Sequence, residues 1–188
     1  MTEHAVNQPF HVLAVCTGNL CRSPLIESLW ETRADAKGGM PMVCASAGTR
    51  AVDGAAMDPL AAAELRRLGG DPSGLTSRDL RESDLAWADL VVTATREHRS
   101  HVLTMSPEHL HRAFTLTELA ALLPRADGDS VGALVRDAAR KRGTLAGLGA
   151  DDLDLPDPIG RTQEVHAAVA DRIDAAVESI VASPLDEK

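Results

Sequence analysis

The sequence predicts an α/β protein: an open, doubly wound, four-stranded parallel sheet with helices on both faces. Short apolar runs alternate with longer segments of helical periodicity along most of the 188 residues. The apolar runs are nearly continuous, which is typical of parallel strands buried on both faces. Such strands, alternating with helices, are the pattern of an open sheet with helices on either side. At this length the chain is expected to fold as one domain.

The first strand and helix are predicted on either side of a tight loop. Residues 11–15 (HVLAV) form the strand. Ser23 is expected to cap the helix, with Pro24 in its first turn. The apolar residues of this helix fall on one face: Leu25, Ile26, Leu29 and Trp30. Gly38 and Gly39 are expected to end it.

The remaining elements continue the alternation of strands and helices. Strands are predicted at residues 42–46, 90–93 and 113–116. Helices are predicted at residues 59–68, 96–105, 117–123 and 163–182. In sheets of this kind ligands bind beyond the carboxyl ends of the strands, and the loop after the first strand starts at one of those ends.

Two segments stand outside this pattern. Residues 1–9 form a polar leader, and residues 124–152 are rich in Gly, Asp and Arg, with a possible helix at residues 131–142. We interpret residues 124–152 as an insertion that makes a solvated surface excursion, with a docking or lid role as the alternative. The basic face of this segment is predicted to consist of Arg136, Arg140, Lys141 and Arg142.

Charge and hydropathy exclude several classes of partner. The 28 acidic and 19 basic residues give a net charge of -9, which opposes binding to nucleic acid and to anionic membranes. Neither a signal peptide nor a membrane-spanning segment is expected, so no membrane insertion is predicted and the cytoplasm is the expected location. The oligomeric state stays open.

Cysteine and histidine patterns predict no metal site. The cysteines are Cys16, Cys21 and Cys44, at no recognisable zinc spacing, and reduced thiols are expected. Four histidines share one polar helical region and are interpreted as solvated surface residues: His98, His101, His109 and His111.

The stretch VCTGNLCRSP, residues 15–24, carries the chemistry. If Cys16 ends the strand and a helix follows at once, several backbone N-H groups can point into one concavity and bind an anion. Gly18 and Asn19 both tolerate the left-handed backbone that such a loop requires. Arg22 can hold two phosphate oxygens at once.

Cys16 is the predicted nucleophile of this loop. The helix terminus, the amides and Arg22 all favour its thiolate form at neutral pH. Ser23 can donate a hydrogen bond to the sulfur. The alternative is that Cys16 is a small buried hydrophobic residue, Arg22 a surface charge and Ser23 only a cap.

The loop CTGNLCRSP resembles the phosphate-binding loop of low-molecular-weight protein tyrosine phosphatases. SAGT at residues 46–49 matches the second-strand signature of that family, and Asp157-Pro158 matches the position of its catalytic acid. The resemblance extends over nearly the whole chain except the leader and the insertion. It implies a single phosphatase domain over residues 1–188 with flavodoxin-like topology.

The resemblance also implies a mechanism and its residues. Cys16 attacks phosphorus while Asp157 protonates the leaving oxygen, and water assisted by Asp157 then hydrolyses the cysteinyl phosphate. Arg22 and the loop amides stabilise the equatorial oxygens. The implied substrate-binding residues are Thr17, Gly18, Asn19, Leu20, Cys21 and Ser23. No cofactor or metal is expected, and the expected partner is a phosphorylated protein.

A second Asp-Pro dipeptide has to be weighed against Asp157. Asp157 lies between two prolines, which bias it to an extended, stiff loop. Asp58-Pro59 is followed directly by LAAAELRRL and is therefore interpreted as a helix cap.

By family analogy, the side chain of Asn19 holds the loop in shape through hydrogen bonds to Ser23 and Ser46.

The sequence departs from the family where a phosphotyrosine ring is usually held. In the family, aromatic side chains at the rim of the cleft come from two segments, which correspond to residues 50–59 and 157–161 here. Neither segment of this chain has an aromatic residue. Leu75 stands where the family often has a histidine that braces the loop asparagine. Binding of phosphotyrosine is expected to weaken by about 1 kcal/mol per lost aromatic contact. A further hypothesis is that Cys21 forms a reversible disulfide with Cys16 under oxidation; the alternative is a packed thiol of which only the backbone amide matters.

Two rival functions remain open. An arsenate-reductase-like oxyanion enzyme would need a resolving cysteine pair outside the loop, where Cys44 alone is present. A phosphate-binding regulatory module without turnover would act through the basic residues of the insertion.

Overall fold

The computed structural model describes residues 9–37 and 42–183. Within these ranges the strands are β1 (Phe10–Cys16), β2 (Met42–Gly48), β3 (Leu90–Thr93) and β4 (Ala113–Thr115). They form one sheet in the order β2-β1-β3-β4, and every pairing is parallel. The predicted α/β class and four-stranded parallel sheet are confirmed.

The helices lie close to their predicted places. They are α1 (Arg22–Lys37), α2 (Pro59–Arg67), α3 (Glu82–Trp87), α4 (Arg96–Met105), α5 (Leu116–Leu122), α6 (Val131–Arg140), α7 (Ala150–Leu153) and α8 (Gln163–Ala182). Helices α3 and α7 are too short to show a helical period in the sequence, and neither was predicted. Gly38 and Gly39, which were expected to end α1, lie outside the described residues.

Alternate residues of β1 face two separate apolar layers, as a strand period of two requires. Val12 and Ala14 belong to the larger core, which contains α1, α2, α5, α6 and α8. Leu13 and Val15 belong to the smaller core, under α3 and α4. All four side chains are fully buried. The expectation of helices on both faces is therefore confirmed.

The prediction that residues 124–152 make a solvated surface excursion is wrong for the apolar residues of α6. Helix α6 starts after Ser130, whose hydroxyl accepts a hydrogen bond from Ala133 N. One face of α6 lies in the larger core, through Val131, Leu134, Val135 and Ala138. The segment is polar on average, but its apolar residues follow the helical period and form a buried stripe.

The basic residues of this segment are largely paired with acidic ones. Arg140 and Lys141 contact Asp137 at 2.9 and 2.8 Å. Arg142 binds Glu118 and lies 4.4 Å above the centre of the Phe114 ring. These ion pairs neutralise most of the charge that a regulatory phosphate-binding surface would need.

The sheet order creates one switch point, at β1. The chain leaves β1 for β2 on one side, and β3 lies on the other. In open α/β sheets the crevice beyond such a point is where ligands bind. Among the described residues, no helix combines the length and the hydropathy that crossing a bilayer requires.

Candidate active site

The loop after β1 turns directly into a helix. Helix α1 begins at Arg22, and Leu25 N donates to Cys21 O at 3.1 Å. Ser23 therefore lies inside the first turn, and its predicted role as the helix cap is wrong. Its hydroxyl faces the loop, where it meets Cys16 Sγ at 3.0 Å. We call residues 16–22 the cysteine loop.

Asn19 is the residue that shapes the cysteine loop. Its φ of 53° lies in the left-handed region, whereas Gly18 lies outside that region. Of the two residues expected to tolerate a left-handed backbone, Asn19 adopts it and Gly18 does not. The Asn19 side chain is buried, and its amide nitrogen donates to Ser23 Oγ at 2.8 Å and to Ser46 Oγ at 2.7 Å. These are the two partners that the family analogy implies.

The side-chain oxygen of Asn19, Oδ1, accepts a hydrogen bond from Arg78 N at 2.9 Å. A backbone N-H therefore braces the asparagine, and Leu75 packs against the core instead. On the other side of the network Ser46 donates to a carboxylate oxygen of Glu27. Burial raises the pKa of Glu27, and Glu31 adds to this effect.

The Ser23 hydroxyl can donate its one hydrogen to the sulfur when Cys16 is ionised. Ser23 Oγ already accepts a hydrogen bond from Asn19, so its one hydrogen is left to donate. Cys16 Sγ lies at 3.0 Å and the Ala47 carbonyl at 3.4 Å. A thiolate at Cys16 is the nearer acceptor, and a hydrogen bond from Ser23 then stabilises that sulfur anion.

The end of β2 supports the cysteine loop from beneath. Thr49 N donates to Cys16 O, and Arg50 N donates to Thr17 O, both at 2.9 Å. A Cβ on Gly48 would lie 2.5 Å from Thr17 O and 3.0 Å from Asn19 N. Gly48, in the SAGT stretch, is thus the residue that lets the two backbones approach.

The three predicted catalytic residues meet at one small pocket. Cys16, Arg22 and Asp157 line a cavity of about 30 Å³ together with Gly18, Leu20, Cys21 and Ile159. Cys16 is only 2% exposed, but it forms part of this pocket, which is open to solvent at Asp157.

Arg22 links the cysteine loop to the distant segment that carries Asp157. Its guanidinium donates to Leu155 O at 3.2 Å and contacts Asp157 Oδ2 at 3.1 Å. Leu155 N in turn donates to Ala94 O, just after β3, at 2.8 Å. The segment is therefore held at the carboxyl edge of the sheet, and Asp157 is aimed at the loop.

A larger cleft of about 450 Å³ opens beside this pocket. Helix α4 lines this cleft with Glu97, His98, His101 and Thr104, and Arg50 also lines it. All the lining side chains are polar or charged. The chain has two Phe, two Trp and no Tyr, and none of these aromatic residues lines the cleft.

His98 is a site residue that the sequence analysis missed. It is 7% exposed, and its ring nitrogens bond Thr17 Oγ1 at 2.8 Å and Thr95 Oγ1 at 2.7 Å. Burial and the positive charge of Arg22 lower the pKa of His98 to about 4. The signal in the sequence was position, since His98 follows the carboxyl end of a predicted strand.

The prediction of solvated histidines holds for only part of the set. His101 and His111 are exposed, whereas His98 and His109 are buried. His109 bonds Ser106 Oγ at 2.8 Å. The burial of His98 and His109 could not be predicted from their polar surroundings in the sequence. Each is tolerated in the interior because a hydroxyl residue one turn earlier, Thr95 or Ser106, bonds a ring nitrogen.

The other predicted thiols are buried and free. Cys21 is 3% exposed, and its pKa is raised, first by burial and then by the charge of Asp58. Cys44 lies in β2 with equal burial, as predicted, and cannot act as a resolving thiol there. Asp58 caps α2, as predicted, by accepting from Leu60 N and Ala61 N.

Comparisons with known proteins identify a family over the first two thirds of the chain. Residues 11–129 match the family model described as low molecular weight phosphotyrosine protein phosphatase. The match includes the cysteine loop and ends before Asp157.

Individual relatives match over different lengths of the chain. A protein-arginine-phosphatase of Geobacillus stearothermophilus is 27% identical over 92% of this chain and 94% of its own. Low molecular weight protein-tyrosine phosphatase A of Mycobacterium tuberculosis is 37% identical over 50% of this chain and 57% of its own.

Solved structures show the same fold. The low molecular weight protein tyrosine phosphatase of T. tengcongensis superposes with a TM-score of 0.71 at 28% identity, covering 92% of this chain and 97% of that one. The arginine phosphatase of Geobacillus stearothermophilus gives 0.69 at 25% identity, covering 92% and 91%.

Proposed function

Because this chain belongs to the low molecular weight phosphotyrosine protein phosphatase family, we propose that it removes phosphoryl groups from protein side chains through Cys16. The observation that carries this proposal is the meeting of Cys16, Arg22 and Asp157 at one pocket. The reaction proceeds through a cysteinyl-phosphate intermediate.

In the first step Cys16 is the nucleophile. Its thiolate attacks phosphorus, and an S-P bond forms as the bond to the leaving oxygen breaks. Asp157 gives its proton to that oxygen, which leaves as an alcohol or phenol. The loop amides and the Arg22 fork hold the three remaining oxygens.

Substrate binding rearranges the pair formed by Arg22 and Asp157. A phosphate dianion satisfies the guanidinium more fully than one carboxylate oxygen at 3.1 Å does. The bound phosphate therefore replaces Asp157 as the partner of the Arg22 guanidinium. Asp157, at 54% side-chain exposure, is then free to face the leaving group.

The second step restores the enzyme. Asp157 takes a proton from water, whose oxygen attacks phosphorus, and the P-S bond breaks to release inorganic phosphate. The hydrogen bond from Ser23 supports the departing thiolate at 3.0 Å. His98 fixes the Thr17 side chain beside the cleft, as a neutral imidazole.

Phosphotyrosine on a protein is the first substrate we propose. Family membership supports this substrate. The absence of aromatic residues around the described cleft predicts weak binding of the ring. We also propose a cytoplasmic location, because the three free thiols persist in a reducing compartment.

Phosphoarginine is the second candidate. Two carboxylates, those of Glu97 and Asp157, line the cleft and complement the N-H groups of a guanidinium. The Geobacillus stearothermophilus relative, which aligns with this chain over 94% of its own length, is named a protein-arginine-phosphatase. With this substrate Asp157 would protonate nitrogen as the P-N bond breaks.

Steady-state kinetics on a chromogenic aryl phosphate test the mechanism. We expect Cys16→Ser to lose all measurable turnover and Asp157→Asn to lose about 100- to 10,000-fold in kcat. The matched control is Asp151→Asn, an exposed carboxylate elsewhere, which should keep wild-type rates. Full activity in Cys16→Ser would overturn the proposal.

Two peptides of one sequence, bearing phosphotyrosine or phosphoarginine, separate the substrates. The ratio of their kcat/KM values decides which is preferred. If the carboxylates recognise a guanidinium, Glu97→Gln lowers kcat/KM for phosphoarginine and leaves that for phosphotyrosine unchanged.

A further inference from the structure

A second cluster of reactive side chains lies behind the cysteine loop. Cys21 from the loop, Asp58 from the start of α2 and His166 from the start of α8 place one ligand atom each within 4.8 Å of the others. We propose that these three residues form a binding site for a zinc ion. Cys21 also lines the phosphate pocket, whereas Asp58 and His166 lie outside its lining, and metal binding at the cluster can be measured without turnover.

His166 is the observation that points to a ligand. It is 2% exposed, yet neither ring nitrogen has a hydrogen-bond partner among the described residues. Buried polar groups are nearly always hydrogen-bonded, so an orphaned imidazole needs an explanation. Its Nδ1 lies 3.8 Å from Asp58 Oδ1, too far for a hydrogen bond, so the imidazole lies beside the Asp58 carboxylate without bonding to it.

Asp58 can bind an ion without giving up its role as a helix cap. Both of its hydrogen bonds, from Leu60 N at 2.9 Å and Ala61 N at 3.1 Å, use Oδ1. Oδ2 has no such bond to the described residues and is available to a cation. The cap itself also fixes the direction of the carboxylate.

The chemistry of the three donors matches zinc. Sulfur, imidazole nitrogen and carboxylate oxygen are its usual ligands, at about 2.0–2.3 Å, so ligand atoms on one ion lie about 3.5 Å apart. Drawing together atoms that now lie within 4.8 Å requires only small side-chain rotations. Water can take the fourth position.

Charge balance also favours a divalent ion here. As the Zn-S bond forms, the Cys21 thiol releases its proton to solvent. The resulting thiolate and the Asp58 carboxylate together cancel the two positive charges of the ion. Burial therefore leaves no net charge in the low-dielectric interior.

Metal binding would join three elements that meet behind the catalytic loop. Asp58 N already donates to Leu20 O at 2.9 Å, so the start of α2 is attached to the cysteine loop. An ion would add the start of α8 to this contact and hold the back of the loop. We therefore expect zinc to raise the unfolding temperature.

Cobalt is the probe, because a cobalt-thiolate bond gives a charge-transfer absorption band. The double variant Cys16→Ser, Cys44→Ala leaves Cys21 as the one thiol of the chain. In this background we expect one equivalent of Co²⁺ to produce the band, and one equivalent of Zn²⁺ to abolish it. Absence of the band would overturn the proposal.

His166→Leu, added to this background, is the decisive variant. It should fold, because the imidazole it removes makes no hydrogen bond among the described residues and leucine has a similar volume. We expect it to lose both the band and the rise in unfolding temperature with zinc. The matched control is His109→Leu, another buried histidine, which should keep both.

Asp58→Asn tests the third ligand while asparagine preserves the cap. We expect metal affinity to fall about 100-fold or more, since even the hydrogen-bond partners of metal ligands are worth about 10- to 100-fold. Unchanged affinity in Asp58→Asn, or an unchanged band in His166→Leu, would overturn the site. Neither readout depends on phosphatase activity, so both stand if the proposed function fails.

Discussion

Single residues at this site satisfy several partners at once. Asn19 combines a left-handed backbone with three side-chain hydrogen bonds, to Ser23, Ser46 and the backbone of Arg78. Its side-chain bonds offset the cost of that backbone conformation, which is about 1 kcal/mol or more for a residue other than glycine. The loop geometry thus depends on one buried amide more than on the glycine beside it.

His98 predicts how stability depends on pH. Its pKa is lowered from 6.5 to about 4 in the folded protein, so between these values the unfolded chain binds more protons. The contribution of His98 is complete above pH 6.5 and is lost as pH falls towards 4. We expect a loss of about 3 kcal/mol across this window.

Denaturant unfolding at a series of pH values measures this slope. His98→Gln keeps a hydrogen-bonding side chain beside Thr17 but cannot titrate, so its stability should fall less on acidification. His101→Gln, an exposed histidine of the same helix, should behave as wild type. Parallel profiles for wild type and His98→Gln would show that His98 does not carry the effect.

At the scale of elements, the cysteine loop is a shared structure. Strand β2 supports it through Gly48 and the two residues that follow, and the segment before α8 reaches it through Leu155. Helix α4 contributes His98 from the far side of the switch point. Each contact comes from the carboxyl edge of a strand, which explains why residues distant in sequence converge here.

Gly48→Ala tests the support from β2. The new Cβ would lie 2.5 Å from Thr17 O, a backbone atom that can move only if the loop moves. We expect a loss of about 1–3 kcal/mol in stability and about 100-fold in kcat/KM, as a displacement of about 1 Å costs.

The control is Gly143→Ala, where nothing lies within 4 Å of the new Cβ. It should leave stability within about 0.5 kcal/mol of wild type and activity unchanged. Chemical denaturation and kinetics on an aryl phosphate measure both quantities. Wild-type kcat/KM in Gly48→Ala would contradict the role given to this close approach.

At the scale of the whole molecule, one apolar core joins the sheet to helices that are far apart in the chain. Helix α8 contributes a long buried stripe that includes Val169, Ile173, Val177 and Ile180. Helix α6 enters the same core, so residues 124–152 cannot be removed without exposing apolar surface.

Leu134→Ala therefore predicts a loss of stability and not of chemistry. Leu134 is 2% exposed, and its truncation should cost about 3 kcal/mol in the free energy of unfolding. Activity well below the unfolding temperature should remain at the wild-type level. The control Arg136→Ala, on the exposed side of α6, should change neither quantity.

Thermal unfolding and kinetics on a phosphoprotein distinguish a structural role of α6 in the core from a role of residues 124–152 as a lid. A lid would show unchanged stability in Leu134→Ala and a changed KM for the phosphoprotein. That pattern would restore the alternative given to this segment by the sequence.

The sequence by itself determined the elements and the chemistry of the loop. Strand and helix periods are local, and the hydrophobic pattern carries them directly, which is why β3, α4 and α8 were predicted at their observed bounds. A strand end, a cysteine, an arginine and a helix start within ten residues were likewise visible without the fold.

Only the tertiary structure decided which distant residues share a site. The period of α4 does not reveal that His98 turns towards Thr17, and the polar average of residues 124–152 hid the buried stripe of α6. Spacing along the chain also concealed the cluster of Cys21, Asp58 and His166. The physical reason is that burial and hydrogen bonding depend on packing between elements, which a local pattern does not contain.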